Sequence, residues 1–507
     1  MRRTTPPTPQ PGRPLLLDRR AVLRLGGGVV GGTLVAGALA ACSDDDEQVT
    51  RAEPTPEPSG WRAPAAPMAF PKGFVWGAAT SAFQVEGSTT KDGRGPSIWD
   101  TFAAQPGRID DGSTGDPAAD QYRLWEQDLD LMRGLGLQAY RFSVAWPRIV
   151  PAGSGAVNRA GVDYYRRLVD GLLDRGMRPA ITLYHWDLPQ PLQDKGGWAS
   201  RDTAYRFAEY AEVMFEALKD VDATWLTINE PKTTTNVGYA GFEHAPGLGD
   251  IEAASASVHY QLLAHGLAVR KFREVGGSGG IGIALNLLPT YGPPGVEAAN
   301  RNLDAVENRL YLDPVLKGAY PDDAIGPGPG QMHADPAAFE ARIEPGDLEV
   351  ISSATDVLAV QYYGVGGVDS SGNWLQVQPS SPAGWQQVYP EGLYDLLTRL
   401  TRDYPDAPPY IITENGIPDP DAQGQIDDPV RLEFLRAHLQ QAARAIDEGV
   451  DLRQYYAWSL LDNFEWARGM TQRWGIVHVD FDTQERTPKA SARWYSGVVE
   501  QNAVPPA

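Results

Sequence analysis

Two glutamates stand at the ends of two strand-like runs. Tyr410-Ile411-Ile412-Thr413 leads into Glu414, and Asn415-Gly416 breaks the segment. Thr224-Trp225-Leu226-Thr227-Ile228-Asn229 leads into Glu230, and Pro231 ends that run. Apolar and β-branched residues stopped by Gly or Pro read as short buried strands. A carboxyl at the tip of each, facing one pocket, is what acid/base or nucleophilic chemistry on a glycosidic bond requires. One glutamate alone at a strand end is more often an exposed surface carboxylate, so the pair takes its meaning from the rest of the chain.

From Phe70 onward, strand-like runs alternate with longer amphipathic ones. Strands are expected over residues 74–78, 139–143, 178–184, 224–229, 281–287, 356–361, 410–413 and 454–458, and helices over 119–135, 203–218 and 431–448 among others. That alternation predicts an α/β fold, a (β/α)8 TIM barrel with long βα loops. A doubly wound open sheet is the alternative. A barrel gathers its chemistry at the C-terminal ends of its strands. Those ends carry Gln84 and Glu86 after the first strand, Arg141 in the second and His185-Trp186-Asp187 after the third. Asn229-Glu230 end the fourth, Gln361-Tyr362-Tyr363 the sixth, Glu414-Asn415 the seventh and Trp458 the eighth. Each has an ordinary structural reading alone, such as a satisfied buried histidine or a core ion pair; so many strand ends alike do not.

A formal net charge of −21 argues against a nucleic-acid partner, whose phosphates need a basic footprint. The 14 tryptophans supply flat apolar faces that suit sugar stacking or ordinary core packing, and composition does not choose between them. The seven histidines show no metal-ligand spacing. The single cysteine, Cys42, follows Arg19-Arg20, an apolar Gly/Ala/Val/Leu run and Leu39-Ala40-Ala41. This resembles a twin-arginine export signal ending in a lipobox, with Cys42 as the lipidated residue. A plain secretory signal with an incidental cysteine is the alternative. The apolar run falls short of the roughly 20 residues of a membrane-spanning helix. Residues 1–42 are therefore expected to be an export signal, 43–67 an acidic Pro-rich linker, and 68–507 the catalytic domain. The protein is expected to be exported and either lipid-anchored at the outer face of the cell membrane or secreted, meeting the membrane only through that anchor. Cleavage before Cys42 would leave no cysteine for a disulfide.

Five runs carry a specific resemblance: residues 74–87 (Phe74-Val75-Trp76-Gly77 through Gln84-Val85-Glu86-Gly87), residues 140–149 (Tyr140-Arg141-Phe142 through Arg148-Ile149), Thr227-Ile228-Asn229-Glu230-Pro231, Ile412-Thr413-Glu414-Asn415-Gly416, and residues 457–466 (Ala457-Trp458 through Asn463-Phe464-Glu465-Trp466). In this order they resemble the family-one glycoside hydrolases, the retaining β-glucosidase family, over residues 70–495. The resemblance implies that Glu414 is the nucleophile and Glu230 the general acid/base. It implies that Gln84, His185, Asn229, Glu465 and Trp466 hydrogen-bond the sugar in the innermost subsite over Trp458 as a stacking floor. Trp186 and Tyr363 are assigned to the same pocket, with Arg141 and Gln361 supporting. No metal or cofactor is implied, and the partner is a small β-glycoside or oligosaccharide.

Elementary chemistry adds expectations. Glu414 should be ionised, helped by Arg141 and a Tyr363 hydroxyl. Glu230 should be held protonated by a less polar setting. A retaining pair has its carboxyls roughly 5–5.5 Å apart. Asn229 suits the 2-hydroxyl, whose hydrogen bond strengthens in the transition state. A negative Glu465 would repel a 6-phosphate, pointing to unphosphorylated glycosides. Gln361 departs from the Asn of many relatives, and its longer amide could reshape the wall beside Tyr363. Asp120-Gln121-Tyr122 is also looser than the family pattern. Trp474 is expected near the entrance or packed beneath a loop. Gly276-Gly277-Ser278-Gly279-Gly280-Ile281-Gly282 imitates nucleophile-elbow and dinucleotide motifs, but it follows a helix and precedes a strand, the reverse of what both require, so it reads as an αβ loop. Two other functions stay open: an envelope-tethered oligosaccharide-binding protein that does not cut, and an enzyme that mainly transglycosylates.

Overall fold

The structure is a computed structural model and describes residues 61–419 and 426–506. The export signal, Cys42 and the linker up to residue 60 lie outside the described residues. Eight strands form a closed barrel: β1 (Val75–Ala79), β2 (Ala139–Ser143), β3 (Arg178–Tyr184), β4 (Ala223–Asn229), β5 (Gly279–Asn286), β6 (Val357–Gln361), β7 (Tyr410–Glu414) and β8 (Leu452–Trp458). Every neighbouring pair is parallel, and β8 closes onto β1. The expected strands fall within two residues of these bounds.

A helix follows each strand: α1 (Gln121–Gly134), α2 (Arg159–Asp174), α3 (Arg201–Ala217), α4 (Ile251–Val275), α5 (Leu310–Lys317), α6 (Glu391–Asp403), α7 (Pro429–Asp447) and α8 (Ala490–Gln501). Their ends obey local rules. The Asp250 carboxylate accepts from the Ala253 N–H at 3.0 Å to start α4, and Gly276 ends it at φ +74°, a left-handed position that suits glycine. The Gly-rich run after Gly276 feeds straight into β5, so it is the αβ loop the sequence pointed to.

Two layers of side chains separate inside from outside. Trp76, Ala78, Tyr140, Phe142, Ile181 and Leu183 belong to the large core shared with the helices. The alternate strand positions Val75, Ala79, Ala139, Ala180 and Tyr456 form one inner cluster, and Leu226, Ala284, Ala359 and Ile411 another. That period of two is the signature of a filled barrel. The bulk of Tyr456 is admitted by Gly77, where a Cβ would lie 2.5 Å from the Tyr456 ring.

The two edges of the domain's chain are clasped at the opposite pole from the strand tips. Met68–Ala69 pairs antiparallel with Ala503–Val504, the Phe70 N–H donates to the Asn502 carbonyl at 2.9 Å, and the Trp76 indole donates to the Asn502 side chain at 2.9 Å. Just upstream, the Trp61 ring lies 5.4 Å from the Arg444 guanidinium of α7. Among the described residues no helix is long and apolar enough to cross a membrane.

Candidate active site

The two glutamates reach the same mouth by the same device. The ladder register shifts between Leu226 and Asn229 on β4 and between Ile412 and Glu414 on β7. An irregularity of this kind bends a strand and re-aims its last side chain. Glu230 then takes φ +45°, a left-handed conformation uncommon for a non-glycine residue, while its N–H stays bonded to the Ala284 carbonyl at 2.9 Å. Pro231 begins the short turn beyond it.

Glu414 is almost wholly buried and held by three donors. Arg141 and the Gln361 amide (2.7 Å) both donate to Oε1, and the Tyr363 hydroxyl donates to Oε2 at 2.7 Å. Burial pushes its carboxyl above the usual range, with the Arg141 charge and the Tyr363 hydroxyl pulling the other way. The sequence expected those two groups to decide its state; burial is the larger effect.

Glu230 is equally buried but has no cationic donor. Its Oε2 accepts from Thr233 Oγ1 at 2.6 Å and from Asn286 Nδ2 at 3.4 Å. Burial first, and the charge of Glu414 second, push its carboxyl up to about 7. The two carboxyls therefore sit in one electrostatic environment with unequal support. The anion held by a guanidinium suits a nucleophile, and the carboxyl raised to about 7 suits a proton donor near neutral pH.

Around the pair the predicted pocket assembles. Asn229 Oδ1 accepts from Arg141 at 2.5 Å and from Gln361 at 2.6 Å, and its Nδ2 lies 3.2 Å from His185 Nε2. The His185 ring lies nearly parallel to Trp458 (14°, 5.8 Å) and to Trp466 (17°, 6.1 Å). Burial and the Arg141 charge hold His185 well below its ordinary pKa, so it is neutral. Gln84 Nε2 donates to the Phe464 carbonyl and Asn463 at 3.0 Å each and approaches Glu465 at 3.4 Å, joining the loops after β1 and β8. Trp186 and Trp466 both sit at positive φ (+75° and +48°) with ring centroids 4.6 Å apart, and the Trp186 indole donates to the Asn229 carbonyl at 3.0 Å. The Trp186 ring is thus a wall that braces Asn229. Trp474 is buried and stacks beneath Trp385 (6.2 Å, 21°), which is half exposed at the entrance.

One expectation changes. Burial and the nearby Glu414 and Glu230 push the Glu465 carboxyl up to about 8, so near pH 7 it is mostly neutral and does not repel a phosphate by charge. The cation beside it, Arg468, is already paired with Asp110 (3.0 Å) and Glu243 (2.5 Å). Two strand-end acids lie apart from the pair's network. Glu86 is tied to Arg148 and the Tyr165 hydroxyl, and Asp187 is fully buried with neither carboxyl oxygen hydrogen-bonded to another side chain. Thr233 and Asn286 were missed by the sequence reading. Asn286 ends β5, the one strand for which no polar tip was named, so the strand-end rule itself could have found it. Among the described residues no group of His, Cys, Asp and Glu could hold a metal ion.

Comparison with known proteins agrees with this geometry. The family model described as Glycosyl hydrolase family 1 matches residues 66–504. β-Glucosidase A of Acetivibrio thermocellus is 45% identical over 460 residues, covering 86% of this chain and 99% of its own. Thermostable β-glucosidase B of Thermobispora bispora is 46% identical over 455 residues, covering 87% and 92%. The structure of a β-glucosidase from Thermotoga maritima in complex with deoxynojirimycin is similar with a TM-score of 0.79 at 41% identity, covering 86% of this chain and 99% of its own.

Proposed function

Since the chain belongs to glycosyl hydrolase family 1, we propose that it is a retaining, exo-acting β-glucosidase that releases the terminal non-reducing β-D-glucosyl residue by double displacement. Glu414 attacks the anomeric carbon while protonated Glu230 gives its proton to the departing glycosidic oxygen. The C–O bond to the aglycone breaks as the bond to Glu414 forms. Esterified Glu414 is neutral, so Glu230 then carries the negative charge at lower cost and takes a proton from water. That water attacks the anomeric carbon and frees Glu414, and two inversions give net retention. Asn229 holds the 2-hydroxyl, Trp458 forms the floor, and Gln84, His185, Glu465 and Trp466 meet the remaining hydroxyls. The protonated Glu465 donates there, and the neighbouring cation Arg468 is already paired with Asp110 and Glu243, which supports an unphosphorylated glycoside.

The observation that carries this reading is the unequal support of two buried carboxyls at one barrel mouth. Incubation with a 2-deoxy-2-fluoro-glucoside should trap a glycosyl ester that peptide mass mapping places on Glu414, and Glu414→Ala should abolish hydrolysis of an aryl β-glucoside. An adduct on another residue, or release of the α-anomer as the first product, would overturn it.

The N-terminus supports a second part of the proposal. Arg19-Arg20, the apolar run and Leu39-Ala40-Ala41-Cys42 fit export in a folded state followed by lipidation of Cys42, and residues 43–67 then act as a tether to the catalytic domain. In the full chain, Arg19→Lys with Arg20→Lys should block export, and Cys42→Ser should move activity from membranes to the medium. Unchanged fractionation of Cys42→Ser would remove the anchor from the account.

A further inference from the structure

Gln361 is wholly buried and spends both amide protons in the site. Its Nε2 lies 2.7 Å from Glu414 Oε1 and 2.6 Å from Asn229 Oδ1. Arg141 donates through two guanidinium nitrogens to the same two oxygens. Glu414, Arg141, Asn229 and Gln361 therefore form a closed ring of four hydrogen bonds, with each acceptor oxygen receiving two donors. With its Oδ1 so occupied, the amide of Asn229 has one orientation left, and its Nδ2 faces His185 at 3.2 Å. An amide has no intrinsic preference between its ends; its neighbours decide which way it points. The side-chain length matters as well. One methylene less would withdraw Nε2 by about 1.5 Å, and bonds of 2.6 and 2.7 Å could not both persist. The cost of the arrangement is visible on the same residue: Gln361 Oε1 is buried without a hydrogen-bond partner. A residue that leaves an acceptor orphaned in order to place its donors is held there by what the donors do.

We propose that Gln361 is a positioning residue for the reaction: through the ring it fixes the amide of Asn229 with its N–H groups toward the sugar's 2-hydroxyl while pinning one oxygen of the nucleophile. Gln361 touches no reacting atom except through Glu414 and Asn229. The inference rests on the reading of Asn229 at the 2-hydroxyl, and the experiment separates the two.

The probes are aryl β-D-glucoside and its 2-deoxy analogue, each compared by kcat/KM for wild type, Asn229→Ala, Gln361→Asn and Gln361→Glu. Asn229→Ala should lose far more on the glucoside than on the 2-deoxyglucoside. Gln361→Asn should lose about 10- to 100-fold on the glucoside, the range for a hydrogen bond involving a charged group, and about tenfold less on the 2-deoxyglucoside. Gln361→Glu keeps the length, loses the donors and sets a second carboxylate against Glu414. It should show the same substrate discrimination and move the acid limb of kcat/KM to higher pH. It carries both readouts if Gln361→Asn does not fold. Equal losses on both substrates at position 361, with Asn229→Ala still discriminating, would overturn the role of Gln361 alone. Failure of Asn229→Ala to discriminate would overturn the 2-hydroxyl reading and the inference with it. An unmoved acid limb in a folded Gln361→Glu would refute the hold on Glu414.

Discussion

The titration of Glu230 should move during the reaction. In the free enzyme its carboxyl is pushed up to about 7, against an ordinary 4.5. Burial is the first cause and the Glu414 charge the second. Neutralising Glu414 therefore removes the second cause and leaves the first. Coulomb's law gives a ceiling: two unit charges about 5.5 Å apart at an effective dielectric near 20 repel by about 3 kcal/mol, roughly 2 units. Arg141 already neutralises part of the Glu414 charge, so the true figure lies below that ceiling. Trapping the enzyme as its 2-deoxy-2-fluoroglucosyl ester makes Glu414 neutral without altering any other residue. Carbon-13 titration of Glu230 should then show its pKa falling, by no more than about 2 units. In the free enzyme the same group sets the basic limb, so kcat/KM on an aryl glucoside should decline above about pH 7. A Glu230 that titrates at the same pH in free and trapped enzyme would refute the coupling, and with it the assignment of Glu230 as an acid that becomes a base.

Three further outcomes follow from named contacts. Glu230→Ala should lose about 10²- to 10⁴-fold on alkyl glucosides, the usual worth of general acid catalysis, and much less in the glycosylation step of dinitrophenyl glucosides; loss independent of leaving group counts against the acid role. Asp187, Glu230 and Glu465 have pKa values raised to about 8, 7 and 8. Below about pH 6.5 the five histidines that burial holds neutral oppose them, since the unfolded state protonates those rings; between about pH 6.5 and 8 the raised carboxyls prevail, and stability falls as pH rises. Calorimetry should show that decline, and Asp187→Asn should flatten it, with Tm at pH 8 higher than wild type by about 2–4 °C and little change at pH 5; a parallel pair of curves would exclude Asp187 as a source. Gly416→Ala would place a Cβ 1.9 Å from the Trp458 carbonyl, so it should cost about 1–3 kcal/mol in chemical denaturation and raise KM by displacing the ring floor; a variant with wild-type stability and KM would show that the turn yields freely.

The barrel was legible because its signals are local and repeated. Buried parallel strands read as apolar runs, and β3 was placed to the residue. Glu414, Glu230, Arg141, His185 and Asn229 were legible because a barrel sends its strand tips to one mouth; the structure joins Glu414, Arg141, Asn229 and His185 in one hydrogen-bond network, while Glu230 is bonded separately to Thr233 and Asn286. What the sequence could not carry was orientation and environment. Nothing in Trp186 announces that its N–H braces the Asn229 backbone, since that depends on a left-handed φ of +75°. Glu465 was read as an anion because the letter implies one; its neutrality comes from burial beside two other carboxyls that lie far away in sequence. Gln361 could be flagged as a departure, but the ring that explains its length joins four strands and exists only in three dimensions.

The clasp between Met68–Ala69 and Ala503–Val504 keeps the two edges of the domain's chain away from its mouth. Both of its strands lie at the floor of the barrel, while the tips of β4 and β7 open at its roof. The segment that leads into the clasp therefore enters the domain on the face opposite its sugar-binding mouth. A sugar can then approach the roof without meeting the clasp.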